Sequence, residues 1–234
     1  MDMRVDLLGG GLYPLSQAAR LVGVEARNVR RWLRGYSWKY LDGRSSSGPL
    51  WGLQYAEDEE LGAEQVLGFL DLLELRAVAK FIERGVALKI LRATIDQATR
   101  EFGPYPLHTQ RFLTDGRRVF HDAAKRSGDG ALTDYKARQI VFDAVIRPSL
   151  YAGIEYAPNG AALRWFPVDR RKVIVLDPRV QFGEPIIASA GVPTDTLAEA
   201  VNAEGGDYKR VARLYGLKPS DVQAAVSFEH ALAA

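Results

Sequence analysis

The residues with the clearest capacity for chemistry lie near the amino end, where Arg27, Asn28, Arg30, Arg31 and Arg34 are interleaved with Val29, Trp32 and Leu33. In a helix beginning at about Glu25, the three apolar residues share one face and the arginines and asparagine occupy the other. Arginine engages guanine through two parallel hydrogen bonds, and asparagine does the same with adenine. Guanidiniums left over bind phosphate and displace counterions, which adds affinity without sequence choice. This chemistry assigns Arg27, Asn28 and Arg31 to base edges, and Arg30, Arg34 and Lys39 mainly to the phosphate backbone. Arg44 falls in Gly43–Gly48, read as the tip of a wing touching neighbouring phosphate or the minor groove.

Such a cationic rod needs a partner that aims it. Tyr13 to Val22 supplies one: Ser16 reads as the N-cap of a short helix, Ala18, Ala19 and Val22 face inward, Gly23 permits a sharp turn and Val24 plugs it. Ser16 and Gln17, at the start of this first helix, join the set assigned to DNA. The whole reads as helix, tight turn, helix, with an apolar inner side and a cationic outer side, the geometry that lays a second helix in a major groove. Two bland readings stay open beside it: an arginine-rich face as mere solvated surface, and a protein-interaction adaptor whose basic surface meets an acidic partner. Replacing Arg27 and Arg31 by alanine separates reader from adaptor.

The composition bounds the rest. The 234 residues are 47% hydrophobic and 26% charged, too apolar for a disordered chain, and the length permits one large domain or two or three small ones. Lysine and arginine number 31 against 29 acidic residues, so the net charge of +2 says little. Its distribution says more: seven basic residues stand against two acidic ones between Arg20 and Arg44, and the acidic run Glu57–Glu60 follows. Cysteine is absent, which excludes disulfides, thiolate metal sites and thiol nucleophiles and suits a reducing cytoplasm. The three histidines, His108, His121 and His230, are far apart in sequence, which weighs against a histidine metal site. A nuclease would need carboxylates gathered around a metal, and Glu57–Glu60 reads as a solvated loop. No catalytic residue, cofactor or metal is therefore expected. No apolar run approaches the roughly 18 residues of a membrane span, and the opening residues lack a secretory layout; a soluble cytoplasmic protein is expected.

Further along, apolar spacing predicts a helix from Ala63 to Arg84, stopped by Gly85, and another from Ala87 to Arg100, stopped by Gly103-Pro104. Asp115-Gly116 between apolar pairs predicts a hairpin over Arg111–Phe120. A helix is expected from Asp134 to Val145, then a second hairpin, Leu150–Ala157 and Ala161–Phe166, around Pro158-Asn159-Gly160. A strand at Val173–Leu176 and three short helices, Pro193–Ala203, Asp207–Tyr215 and Lys218–Leu232, complete the chain. An isolated hairpin is marginal in water, so the second one must pack, either within the chain or at a seam. Tyr151, Tyr156, Trp165 and Phe166 are the residues assigned to a dimer or partner contact. Asp177-Pro178 and Gly183-Glu184-Pro185 read as turns rather than an acidic site. The last two helices resemble another helix-turn-helix, but Asp221 and Glu229 on the second favour protein contact over a cationic reader.

Tyr13-Pro-Leu-Ser-Gln-Ala-Ala-Arg-Leu21 followed by Val29-Arg-Arg-Trp32 resembles the first two helices of MerR-type winged helix-turn-helix regulators. Leu67–Arg76 and Gly85–Arg92 look like the helices that follow the wing in that group. Val175–Ile187 and Gly191-Val-Pro-Thr194 resemble the small helical domain of unknown function numbered 433, and the order of parts is similar to VapB-type antitoxins, from about Leu12 to Ala231. Ser189-Ala190-Gly191 replaces a glycine-threonine-arginine run found in many members of the C-terminal family, so any contact of that arginine is missing. The long coiled coil and effector cysteines of classical MerR regulators are absent too, so metal or redox sensing is not carried over. The resemblance implies a repressor of its own operon that also binds a PIN-type ribonuclease toxin. The resulting expectation is a mainly α protein with small β-hairpins. It comprises a winged helix-turn-helix at 1–60, a helical linker or dimerisation region with a hairpin at 61–130, a helix and second hairpin at 131–170, and a small three-helix domain at 171–234. It would act as a homodimer on an inverted repeat of double-stranded DNA, since two-fold symmetry demands a symmetric operator.

Overall fold

The structure is a computed structural model that describes residues 9–40, 43–127, 142–143, 151–168 and 171–233, with the side chains of 36–45 outside that description. The chain is mainly helical with small antiparallel sheets, as expected. It divides into two units. One holds residues 14–152 with 158–161; the other holds 1–13, 153–157 and 162–234.

The first unit begins with α1 (Leu15–Val22) and α2 (Ala26–Arg34). Gly23 follows α1 in the left-handed region (φ 73°, ψ 38°); its N–H bonds Arg20 O and that of Val24 bonds Ala19 O, the double closure that lets a helix end abruptly. Three residues later α2 starts. The N-terminal end of α1 differs from expectation: Pro14 occupies the N-cap, Ser16 lies exposed in the first turn, and no side chain caps the helix. Proline's fixed φ makes it a serviceable lead-in that needs no hydroxyl.

A two-stranded antiparallel hairpin follows, β1 (Tyr36–Tyr40) and β2 (Gly43–Ser47), in the register Tyr36 opposite Ser47 through Tyr40 opposite Gly43. The stretch Gly43–Ser47, expected as a loop tip, is thus the returning strand. Gly35 at its base (φ 73°) admits no side chain, since a Cβ there would lie 1.9 Å from Ser47 O.

The expected helix Ala63–Arg84 is broken in two: α3 (Glu59–Glu64), capped by Asp58, and α4 (Phe69–Glu83). Gln65 takes a left-handed conformation between them. The acidic run is therefore partly helical, because Asp58 accepts from two first-turn N–H groups and Glu59 and Glu60 favour the positive helix start. Helix α5 (Leu88–Phe102) matches expectation; a 3-10 turn at Pro106–His108 leads to α6 (Gln110–Ser127).

Helix α6 replaces the expected first hairpin. Phe112, Val119, Phe120, Ala123 and Ala124 are buried at helical spacing, and Phe120 stacks on Phe81 with ring centres 5.6 Å apart. Gly116 makes no turn: it lies one helical turn beyond Phe112, whose ring covers the space a Cβ would fill, 2.7 Å away. The helix expected over Asp134–Val145 lies outside the described residues except Phe142 and Asp143, which are helical.

The second unit has a four-stranded antiparallel meander, β3 (Ile154–Tyr156), β4 (Ala162–Trp165), β5 (Ile174–Leu176) and β6 (Pro185–Ile187). Three helices accompany it: α7 (Thr194–Ala203), α8 (Tyr208–Tyr215) and α9 (Pro219–Ala233). All three helices were expected. Strand β6 was not, because Pro185-Ile-Ile187 is too short to carry a period and is recruited by pairing with β5. Leu12 N–H bonds Phe182 O, and the Tyr13 hydroxyl donates to Gly183 O at 2.9 Å, so the amino-terminal residues complete this unit. No helix among the described residues is long and apolar enough to cross a membrane.

Candidate nucleic-acid interface

Helix α2 buries Val29, Trp32 and Leu33 and exposes Arg27, Asn28, Arg30, Arg31 and Arg34. The split follows from one turn per 3.6 residues: positions 29, 32 and 33 fall on one side, and everything between them is turned outward. Leu15, Ala18, Ala19 and Leu21 bury the facing side of α1. Gln17 is half-buried and Arg20 exposed on that helix. Arg27 pairs with Glu25, both well exposed. An exposed pair of this kind is worth little, so phosphate or a base edge can displace it. Arg30 and Arg34 make no ion pair among the described residues. Lys39 and Arg44 sit opposite one another in the β1–β2 register, with their side chains outside the description.

The hairpin is tied down by residues that the spacing of charges did not single out. Leu50 N–H donates to Trp32 O at 2.8 Å, returning the chain to the end of α2. The Arg92 guanidinium on α5 donates to Gly48 O at 2.7 Å and Pro49 O at 2.6 Å. Behind them, Asp71 on α4 is fully buried and accepts from the Trp51 indole N–H and from the Gln54 and Gly68 backbone N–H groups, each at 2.9 Å. Burial pushes its carboxyl up to about 6, against the lowering effect of those three hydrogen bonds. Glu74, one turn on, is also buried; its carboxylate takes the Leu107 N–H at 3.1 Å and meets His108 Nδ1 at 3.3 Å, and burial again raises its pKa. Two carboxylates inside the apolar run Leu67–Leu75 are the sequence signal for this hub, since buried charge demands partners.

Of the residues assigned to a dimer or partner contact, one falls in the helical unit and three in the other. Tyr151 belongs to the helical unit, where its hydroxyl lies 3.1 Å from Leu107 O and 3.0 Å from Thr109 O. Tyr156, Trp165 and Phe166 belong to the other unit. Trp165 and Phe166 are buried there, and Phe166 packs with Val175 and Ile186 beneath the cations of Arg164 and Lys172. Asp177 is held by Arg179, which keeps its carboxyl below the usual range, and serves the turn after β5. Among the described residues, no three histidine, aspartate or glutamate side chains are grouped as metal ligands would be.

Residues 174–228 match the family described as "Protein of unknown function (DUF433)". Over nearly its full length the chain is similar to a Mycobacterium tuberculosis protein named "Putative antitoxin VapB45", 27% identical over 235 residues, covering 97% of this chain and 95% of the relative. A second relative from the same organism, "Uncharacterized protein Rv2308", is 25% identical over 234 residues, covering 97% and 94%. The fold matches the crystal structure of Rv2018 from Mycobacterium tuberculosis with a TM-score of 0.67 at 22% identity, over 94% of this chain and 98% of that one.

Proposed function

We propose that this protein is a sequence-specific DNA-binding regulator, with α1 and α2 as a MerR-like helix-turn-helix, β1–β2 as its wing, and a repressor's mode of action. The observation that carries the reading is the α2 face, four exposed arginines and an asparagine opposite a buried valine, tryptophan and leucine. Asn28 and Arg31 would meet base edges, with Arg27 once released from Glu25; Arg30 and Arg34 would grip phosphate. The protein binds as a homodimer on an inverted repeat. Its role is that of an antitoxin that represses its own operon and binds a PIN-type ribonuclease toxin; the similarity to the relative named as an antitoxin supports this second half. On this reading the chain is a binding protein and not an enzyme.

Footprinting on the upstream region of its own gene, at two salt concentrations, tests the first half. Two symmetric protected half-sites are expected. Each arginine that neutralises a phosphate contributes roughly 0.9 to the slope of log affinity against log salt. Equal affinity for random duplex ends the specific-regulator reading. Arg27→Ala with Arg31→Ala should abolish site preference; a protein that shows no site preference and keeps its partner through both substitutions favours the adaptor reading. Co-expression with a neighbouring PIN-domain protein, scored by co-purification and by relief of growth arrest, tests the second half.

A further inference from the structure

A groove of about 710 Å³ opens in the helical unit between the segment leaving the wing, Pro49–Gly52, and the outer side of α5. Its size lies within the ordinary range of small-molecule sites, roughly 300–1,000 Å³. Leu50, Trp51 and Ile95 form an apolar wall. Asp96 and Arg100 stand beside it, exposed and one helical turn apart. An aspartate four residues before an arginine ordinarily pairs with it. Here Arg100 Nε instead donates to the Asp96 main-chain oxygen at 2.9 Å, and neither charged head forms an ion pair among the described residues. Tyr105 closes one end: its backbone is left-handed (φ 52°, ψ 54°), and its phenol, which burial keeps protonated, donates to Gly52 O at 3.2 Å. A non-glycine residue held in that region is the kind of local strain that collects at ligand sites.

We propose that this groove binds a small zwitterion with an apolar side chain, of the α-amino-acid class. Its ammonium rests on Asp96, its carboxylate on Arg100 and its side chain against Leu50, Trp51 and Ile95. The wall is wired to the DNA-reading face: Leu50 N–H bonds Trp32 O at the end of α2, and Arg92, on the same helix as Asp96, holds the carbonyls of Gly48 and Pro49. Occupancy therefore alters DNA affinity, and DNA alters ligand affinity by the same factor; this coupling, unlike the site, rests on the DNA-binding reading.

Calorimetry on the full-length protein without DNA tests the site. L-Phenylalanine should bind saturably, at least tenfold tighter than 2-phenylethylamine or 3-phenylpropionate, which each lack one charge. Arg100→Ala and Asp96→Asn should each weaken it tenfold or more while leaving the thermal midpoint unchanged, because both side chains are exposed. Absence of saturable binding, equal binding of the three compounds, or undiminished binding by both variants overturns the site. Filter binding to the protein's own promoter with and without L-phenylalanine tests the coupling. Unchanged DNA affinity with a filled groove overturns the coupling alone, whereas a protein that binds no promoter DNA overturns the regulator reading and leaves the calorimetric result standing.

Discussion

Asp71 shows how a single buried carboxylate can set the conditions under which the interface is rigid. Three N–H groups from two separate segments converge on it, two from Trp51–Gln54 and one from Gly68, so it joins the start of α4 to the strap that follows the β1–β2 hairpin. Its folded pKa of about 6 lies above the ordinary 3.8, so the folded chain holds this proton more tightly than the unfolded one. The associated stability is fully present below about 3.8 and is lost as pH rises through about 6, on the order of 3 kcal/mol in all. Asp71→Asn removes that dependence. The unfolding free energy of the parent relative to this variant should fall across that window, measured by urea titration at each pH. At acid pH, where the parent's carboxyl is neutral too, the variant should be less stable by about 1–3 kcal/mol, because an amide turns a donor toward one of the three N–H groups, and that gap should close as pH rises through about 6. A flat difference profile would show that the carboxyl titrates normally. The ion pair of Arg27 with Glu25 is at the opposite extreme: exposed, screened and free to exchange for a ligand.

At the scale of elements, α6 and the wing show two ways in which neighbours decide a segment's shape. Asp115-Gly116 has the composition of a hairpin turn, yet the surrounding residues bury Phe112, Val119 and Phe120 at a helical period, and the gain from that burial overrides the local preference. Gly116 serves the helix by leaving room for the Phe112 ring. Gly116→Ala should thus destabilise by about 1–2 kcal/mol in thermal unfolding, since overlap with a buried ring outweighs alanine's gain of up to about 1 kcal/mol in helix propensity. A stabilised variant would show that the ring yields freely. The wing depends on Arg92 instead. Arg92→Ala should leave the melting temperature nearly unchanged and speed amide exchange over Tyr36–Ser47; on the proposed DNA-binding reading it should also weaken operator binding about tenfold, through loss of two charge-assisted hydrogen bonds.

For the molecule as a whole, the chain order and the spatial division disagree. Residues 9–13 belong with the sheet and the last three helices, although the helical unit lies between them in sequence. Tyr13 reaches Gly183 across 170 positions, and losing its hydroxyl leaves a buried carbonyl unpaired. Tyr13→Phe should cost about 1–3 kcal/mol and raise amide exchange in β5, β6 and α7 rather than in α2. Uniform loss of protection through both units would show that they unfold as one. A fragment starting after the helical unit would lack this contact, so partner-binding experiments are best done with the full chain.

Local patterning reached far in this protein. The arginine face of α2, the glycine turn before it, helix α5, the second hairpin and the three last helices all follow from periodicity and turn residues within a dozen positions, because each is stabilised by neighbours in sequence. The break at Gln65, the helix through Gly116, strand β6 and the roles of Asp71, Arg92 and Tyr13 do not. Asp71 reaches Gln54 across 17 positions, Arg92 reaches Gly48 across 44 and Tyr13 reaches Gly183 across 170, the helix through Gly116 packs on Phe81 of α4, and β6 becomes a strand only by pairing with β5. Which side chains face outward was written in the order of residues; what braces them from behind arose only when distant segments met.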